Sequence, residues 1–300
     1  MKIDSNLLDK FGLKIPNNIF FDFLGLSNSV TPNTLTFLDD ERFIASIVSN
    51  DNITGVVSTE KLISSLSNLT TSKYLNYIIS NEPRFDFYKL YNHLAKNNYI
   101  RIDSVIHHTA QIHPKAYVSD HNVIIGENVV IGPNVSILED VEIGSNTIIG
   151  ANTVLGCDDA EIKRTSKGLL KVFHDGKLII GKNVDIGSGC VIDKGFKNLD
   201  TVIGDGTLIS NYCMVAHSSQ IGNNCMILQC IICGSVKIED DVRVSPGAVI
   251  SNQIKIGSGA DIGIGSIVVK DVPSKAKVSG YYAIDHKKFL YNYVKTFGKI

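Results

Sequence analysis

The sequence predicts a parallel β-helix solenoid, preceded by a small N-terminal α+β domain and followed by a short C-terminal helix. Two observations carry the solenoid. From Leu178 to Val268 an aliphatic residue returns about every six positions, at Ile180, Ile186, Ile192, Ile203, Ile209, Val215, Ile221, Ile227, Ile232, Ile238, Val244, Ile250, Ile256, Ile262 and Val268. An earlier copy of the rhythm runs through Ile125, Ile131, Ile137, Ile143, Ile149 and Leu155. Two residues before these landmarks stand small or β-branched residues, among them Val129, Val135, Thr147, Thr153, Cys190, Thr207, Cys213, Ser219, Cys225 and Cys230. Such a period fits neither the 3.6-residue helix nor a two-residue alternation, and it marks a parallel β-helix. Each short strand turns one large and one compact side chain inward. A turn follows at glycine or asparagine (Asn128, Asn134, Asn146, Asn152, Asn183, Asn223, Asn224), the residues that tolerate a left-handed backbone.

Residues 1–103 lack this rhythm. Ser29–Asn33 reads as a turn, Thr34–Leu38 as a strand, Ile53–Val57 as a second strand and Glu60–Leu66 as a helix. Phe85–Asn97 is an amphipathic helix with Phe87, Leu90, Leu94 and Ala95 on or near one face. The solenoid is expected over 104–273, with less regular first turns at Ile106, Ile112 and Val118, as terminal repeats often are. The segment 274–300 carries a helix over 285–297. Two stretches interrupt the rhythm, 156–177 and 193–200. A long loop adds little closure entropy, and loops of the first one's length are often functional; solvated decoration is the other reading of both.

With 44% hydrophobic residues the chain is not a disordered one. A net charge of −1 without a long basic run gives nothing for nucleic acid to bind. Met1–Asn6 lacks the apolar core of a signal peptide, and no apolar run approaches the roughly 20 residues of a membrane span. No transmembrane segment and a cytoplasmic location are therefore expected. Of six cysteines, Cys190, Cys213, Cys225 and Cys230 fall in the compact inward slot, where a thiol acts as a small hydrophobe. Cys230 and Cys233 form a CxxC with no second pair or histidine partner, so no metal and no bound cofactor is expected. His107, His108, His113 and His121 read as surface residues. His217, directly after a landmark, should point outward at a corner of the solenoid, where it either reaches a groove formed with a neighbouring subunit or is a solvated surface histidine.

The run Lys177–Gly195, then Asp200–Gly206, then Val215-Ala216-His217 resembles the core of the UDP-3-O-acylglucosamine N-acyltransferase (LpxD) family of lipid A synthesis. Thr34–Phe43 is similar to that family's nucleotide-binding domain, and Val278–His286 to its exit from the solenoid. The resemblance implies a left-handed β-helix, a homotrimer with active sites between subunits, and a nucleotide-sugar-binding role for residues 1–103. It implies His217 as the general base that takes a proton from a sugar amine attacking an acyl thioester. Asp193 and Asn211 would line the sugar site, Phe37 and Phe43 would stack on the nucleotide base, and Gly234 would serve the oxyanion or the acyl donor. For Phe37 and Phe43 the alternative is ordinary core.

Three departures from that family stand in the chain. The solenoid between His113 and Gly156 is about two coils shorter, Gln253 aligns with a second family histidine, and 157–162 lacks a glycine–aromatic motif. They point to N-acylation of another nucleotide-linked amino sugar, UDP- or dTDP-linked, for O-antigen or another surface glycan, with acyl-CoA or acyl-carrier protein as cosubstrate. The alternatives are the lipid A reaction itself and, from another class, a non-catalytic hexapeptide scaffold or nucleotide-sugar-binding protein.

Overall fold

The computed structural model of the protein describes residues 2–16, 18–69, 74–196, 199–280, 283 and 285–297. Lys197 and Asn198 of the second interruption, and Tyr281, Tyr282 and Ile284 of the expected exit, lie outside the described residues. The chain divides into two compact units, one of Met1–Arg101 with Asp158–Asp175 and one of Ile102–Cys157 with Gly176–Ile300.

In the first unit Phe23–Leu24, Thr34–Leu38, Ile53–Ser58 and Asn76–Ile79 form a parallel sheet in that order. Leu35, Leu38, Ile53, Val56, Val57 and Ile78 are buried, the apolar run expected of a parallel strand covered on both faces. Gly55 is required there, because a Cβ would run into the Phe21 ring. The long helix spans Pro83–Asn98, with proline in the first turn where its missing N–H matters least. It buries Phe87, Leu90, Leu94 and Ala95 as expected, together with Tyr88 and Tyr91.

The interruption at 156–177 is not a free loop. Ile162–Thr165 and Gly168–Lys171 pair as an antiparallel hairpin that belongs to the first unit. The Asn92 amide donates to the Lys171 carbonyl (2.8 Å) and its oxygen accepts the Phe173 N–H (2.8 Å). Tyr91 Oη donates to Asp175 Oδ1 and to the Phe173 carbonyl. The solenoid expected as one run over 104–273 is thus divided by a hairpin that packs elsewhere.

In the second unit, three parallel sheets of eight, nine and eight strands run through the described residues, most strands being two residues long. Regular coils advance by 18 residues per turn, as between Asn128 and Asn146. Across the hairpin the step is 37 residues, and across the second interruption it is 23. Every landmark from Ile125 to Leu155 and from Ile180 to Val268 is buried, and so is every compact-slot residue named above. The slot does more than fill space. Thr153 donates to the Gly187 carbonyl (2.8 Å) and accepts the Cys190 N–H (3.1 Å), while Cys190 donates to the Ser210 carbonyl (3.1 Å). Thr147 and Thr207 repeat the arrangement, so the slot staples each coil to the next. Burial pushes the Cys225 thiol up, out of the range of a reactive thiolate.

Left-handed corners fall at Asn128, Asn134, Asn146, Asn152, Asn183 and Asn224 as expected. Asn223 is not one of them; its side-chain oxygen accepts the Asp205 N–H instead (2.8 Å). Tyr212, Ser218, Gln229, Ser235 and Gln253 also adopt positive φ, without the residue types that mark such corners. The solenoid extends beyond the expected end at 273, because Lys277–Val278 still pairs with Asp261–Ile262. A helix follows over His286–Phe297. No helix among the described residues is long and apolar enough to cross a membrane.

Ile227 is fully buried in this column. Ile227→Ala should lower the unfolding free energy by about 2–5 kcal/mol, read as a lower denaturant midpoint at an unchanged slope.

Candidate active site

One edge of the solenoid gathers the chemistry. It lies after the strands Val191–Asp193, Met214–Val215 and Ile231–Ile232, which pair in register as successive coils. His217 sits at this edge and is half-buried. One coil before it stands Phe196, 7% exposed, whose ring meets the imidazole at 4.9 Å between centroids and 70° between planes. One coil after it stands Gly234. A Cβ there would come within 2.5 Å of His217 Cε1 and closer still to Nε2. The imidazole is therefore held between an aromatic ring and a bare Cα.

The local fold explains that placement. His217 precedes the left-handed corner at Ser218 (φ 57°). Its carbonyl accepts the Ser235 N–H (2.9 Å), and the Ser218 N–H donates to Thr201 Oγ1 (2.8 Å). The backbone on either side is thus tied to both neighbouring coils.

Asp193 ends its strand at this same edge and is 3% exposed. The next residue, Lys194, donates from Nζ to Asp140 Oδ2 at 2.7 Å, with both side chains about 9% exposed. Asn122 Nδ2 donates to the other Asp140 oxygen (3.0 Å). Removing one partner of such a buried pair typically costs about 3–5 kcal/mol, since the other charge is left behind.

Asn211 is not brought to His217 within this chain. It lies at the preceding edge, after Leu208–Ile209, and its Oδ1 accepts the Ser188 N–H (2.7 Å). The Gly234 N–H is likewise committed, donating to Asn252 Oδ1 (3.0 Å) in the same kind of ladder. What Gly234 supplies in this structure is room for the imidazole. Gln253 forms the left-handed corner of this edge one coil beyond Ser235; its amide neither gives nor takes a proton at neutral pH.

In the first unit, Phe37 is half-buried, 4.9 Å from the Phe87 ring and 5.7 Å from that of Tyr88. Phe43 closes a short 3-10 turn over Glu41–Phe43 and is 46% exposed. One of the pair is embedded in an aromatic cluster and the other stands in solvent. Around Tyr88 lie Lys163 from the hairpin, its Nζ 4.9 Å above the ring, and Arg84, paired with Asp39 at 2.6 Å. Burial, and then the charge of Glu161, pushes the Tyr88 phenol far above its ordinary value. Phe196, Ser218 and the Asp140–Lys194 pair were not anticipated. The one signal for Phe196 was an aromatic residue after glycine inside an interruption of the repeat. No group of three His, Cys, Asp or Glu is gathered for a metal among the described residues.

The chain is similar to known proteins over part of its length. The family described as bacterial transferase hexapeptide (six repeats) matches residues 122–157, 200–230 and 219–252. The chain is 40% identical over 114 residues to the UDP-3-O-acylglucosamine N-acyltransferase of Methylobacterium nodulans, covering 38% of this chain and 32% of that protein. The Bordetella pertussis protein of the same name is 31% identical over 108 residues, 36% of this chain and 30% of its own. The chain thus matches about a third of the length of these curated relatives. Among solved structures, the UDP-N-acetylglucosamine acyltransferase from Campylobacter jejuni superposes with a TM-score of 0.51 at 25% identity, over 66% of this chain and 84% of that one. The second unit is a left-handed parallel β-helix built from hexapeptide repeats.

Gly234 is not among the left-handed glycines, so an alanine there is strained only by the imidazole. Gly234→Ala should keep the cooperative melt and shift the His217 ring resonances, because the ring must leave its place above residue 234.

Proposed function

We propose that this hexapeptide-repeat protein, similar over its solenoid to UDP-3-O-acylglucosamine N-acyltransferases, transfers an acyl group from a thioester to the amine of a nucleotide-linked amino sugar. The observation that carries the reading is the imidazole of His217, fixed between Phe196 and Gly234 at a solenoid edge. The amine nitrogen attacks the thioester carbonyl while a His217 ring nitrogen takes its proton. The tetrahedral intermediate then collapses, the C–S bond breaks, and the thiolate leaves with that proton. A free imidazole titrates near pH 6.5, which suits it to give and take a proton at neutral pH.

Phe43, 46% exposed, binds the nucleotide base by stacking, with Phe37 in the same role, and the acyl donor is acyl-CoA or an acyl-carrier protein. Asp193 lines the sugar site from its place at the edge of His217. Asn211 belongs to a different edge of the same chain, so it reaches a His217 site from a neighbouring copy. That agrees with a homotrimer. One whole sheet face of the solenoid presents an outward row of Tyr117, Ser136, Val154, Val191, Met214, Ile231, Val249 and Ile267 in register. Apolar surface of that extent is unusual on a monomer, and a second copy would cover it. The acceptor is a UDP- or dTDP-linked amino sugar of a surface glycan, handled in the cytoplasm. The names of the relatives favour the lipid A acceptor as the second reading, and the Gln253 corner favours a different sugar.

His217→Ala should lower kcat by roughly 10²–10⁴-fold while nucleotide-sugar binding persists in calorimetry. Binding without turnover in the unaltered protein would instead support a scaffold. Phe43→Ala should raise KM for the acceptor; a loss confined to kcat would contradict the stacking role.

A further inference from the structure

The coil beneath His217 departs from the plain corners of its edge. At five of them a single left-handed residue makes the turn: Asn122, Asp140, Ser218, Ser235 and Gln253, with φ between 57° and 68°; one coil earlier the hairpin segment takes the corner's place. Beneath His217 the corner is replaced by Lys194, Gly195, Phe196, Leu199 and Asp200, within the coil that takes 23 residues instead of 18. The described residues of this replacement are bonded to the coils on both sides. The Lys194 N–H donates to the Cys157 carbonyl (3.0 Å) and its Nζ to the buried Asp140 carboxylate (2.7 Å). The Gly195 N–H donates to the Lys177 carbonyl (3.0 Å). Ser218, the residue after His217, donates from Oγ to the Leu199 carbonyl (3.0 Å). A Cβ on Gly195 would collide with that same carbonyl, so the glycine is what lets the path close. The side chain this path delivers to the edge is Phe196.

We infer that this excursion is a positioning device, in which Phe196 fixes the rotamer of His217 over Gly234 and the buried Asp140–Lys194 pair fixes Phe196. The inference rests on reading His217 as the general base. Its physical content is the torsion of the imidazole. The second side-chain torsion of histidine is broad and roughly two-fold, so backbone anchoring alone leaves the direction of the ring nitrogens loose. An aromatic ring on one side and a bare Cα on the other leave one orientation. A base misplaced by about 1 Å can lose on the order of 10² in rate. Phe196 is thus a positioning residue: it acts on the reaction through His217.

The test uses the full chain carrying histidine labelled with ¹³C at Cε1, and pairs kinetics with spectra. Phe196→Ala should lower kcat by about 10- to 100-fold, leave the acceptor KM within about twofold, and shift the His217 Cε1–H resonance, which His217→Ala identifies by its disappearance. Phe196→Leu, which restores bulk without an aromatic ring, should recover much of kcat while the resonance stays displaced. If Phe196→Ala loses its cooperative melt, Phe196→Leu against the unaltered protein gives the same two readouts. Replacing both members of the ion pair, Lys194→Met with Asp140→Leu, should lower kcat several-fold at unchanged KM. Unaltered kcat in Phe196→Ala, with His217→Ala inactive, would overturn the inference and spare the base assignment. Full activity in His217→Ala would overturn the base assignment itself.

Discussion

The constraint on which this structure depends is that each coil must present the same corner to the coil above it. Most strands of the solenoid are only two residues long, and two residues cannot hold a sheet by themselves. The corners carry the burden instead. Left-handed asparagines repeat at Asn128, Asn146 and Asn183, their amides bonded in series. At several other corners an Asx oxygen of one coil accepts a backbone N–H of the coil before, as Asp205 does for Lys182, Asn211 for Ser188 and Asn252 for Gly234. Inside, the threonines and thiols of the compact slot add a second set of staples. The backbone at an edge is therefore held from coil to coil, and a fixed backbone is the first requirement for a preorganised site.

The same constraint shows why the break at 193–200 matters. Five residues beyond a regular coil would disrupt the stacking unless something compensated for the lost corner. The compensation is a nearly dry Asp140–Lys194 pair and a set of backbone bonds to coils on both sides. Buried ion pairs are poor sources of stability, since desolvation offsets much of the attraction. Their use here is geometrical: they specify one path for a segment that the repeat does not specify.

Much of the solenoid was legible because a six-residue period has one structural solution. The inward pairs, such as Thr153 with Leu155 and Cys213 with Val215, were readable from spacing alone. The period even held the answer to where Asn211 lies. Six residues are a third of an 18-residue coil, so Asn211 and His217 had to occupy different edges of one chain. Corners at Tyr212, Ser218 and Gln253 were not readable, because a firmly stacked neighbour can hold a positive φ in residues that would not choose it. Phe23–Leu24 and Asn76–Ile79 are too short to stand out from the strands they flank. The hairpin at 162–171 was missed for another reason: it is tied to Asn92 through Lys171, and the residues just after it to Tyr91, some 80 positions away. Phe196 was invisible in the same way, as its partner is set by the route of the excursion and not by sequence distance.

In the proposed reading the two units divide the work: the solenoid edge supplies the proton acceptor and the first unit meets the nucleotide base. The most direct measurement is mass spectrometry of nucleotide-linked amino sugars incubated with the protein and a thioester donor. The donors would be acetyl-CoA, a hydroxybutyryl-CoA and a long-chain acyl-carrier protein. The account predicts a gain of one acyl mass on an acceptor, placed on nitrogen by fragmentation. Intact acceptors throughout, with nucleotide sugar still bound, would contradict it and make the solenoid a scaffold.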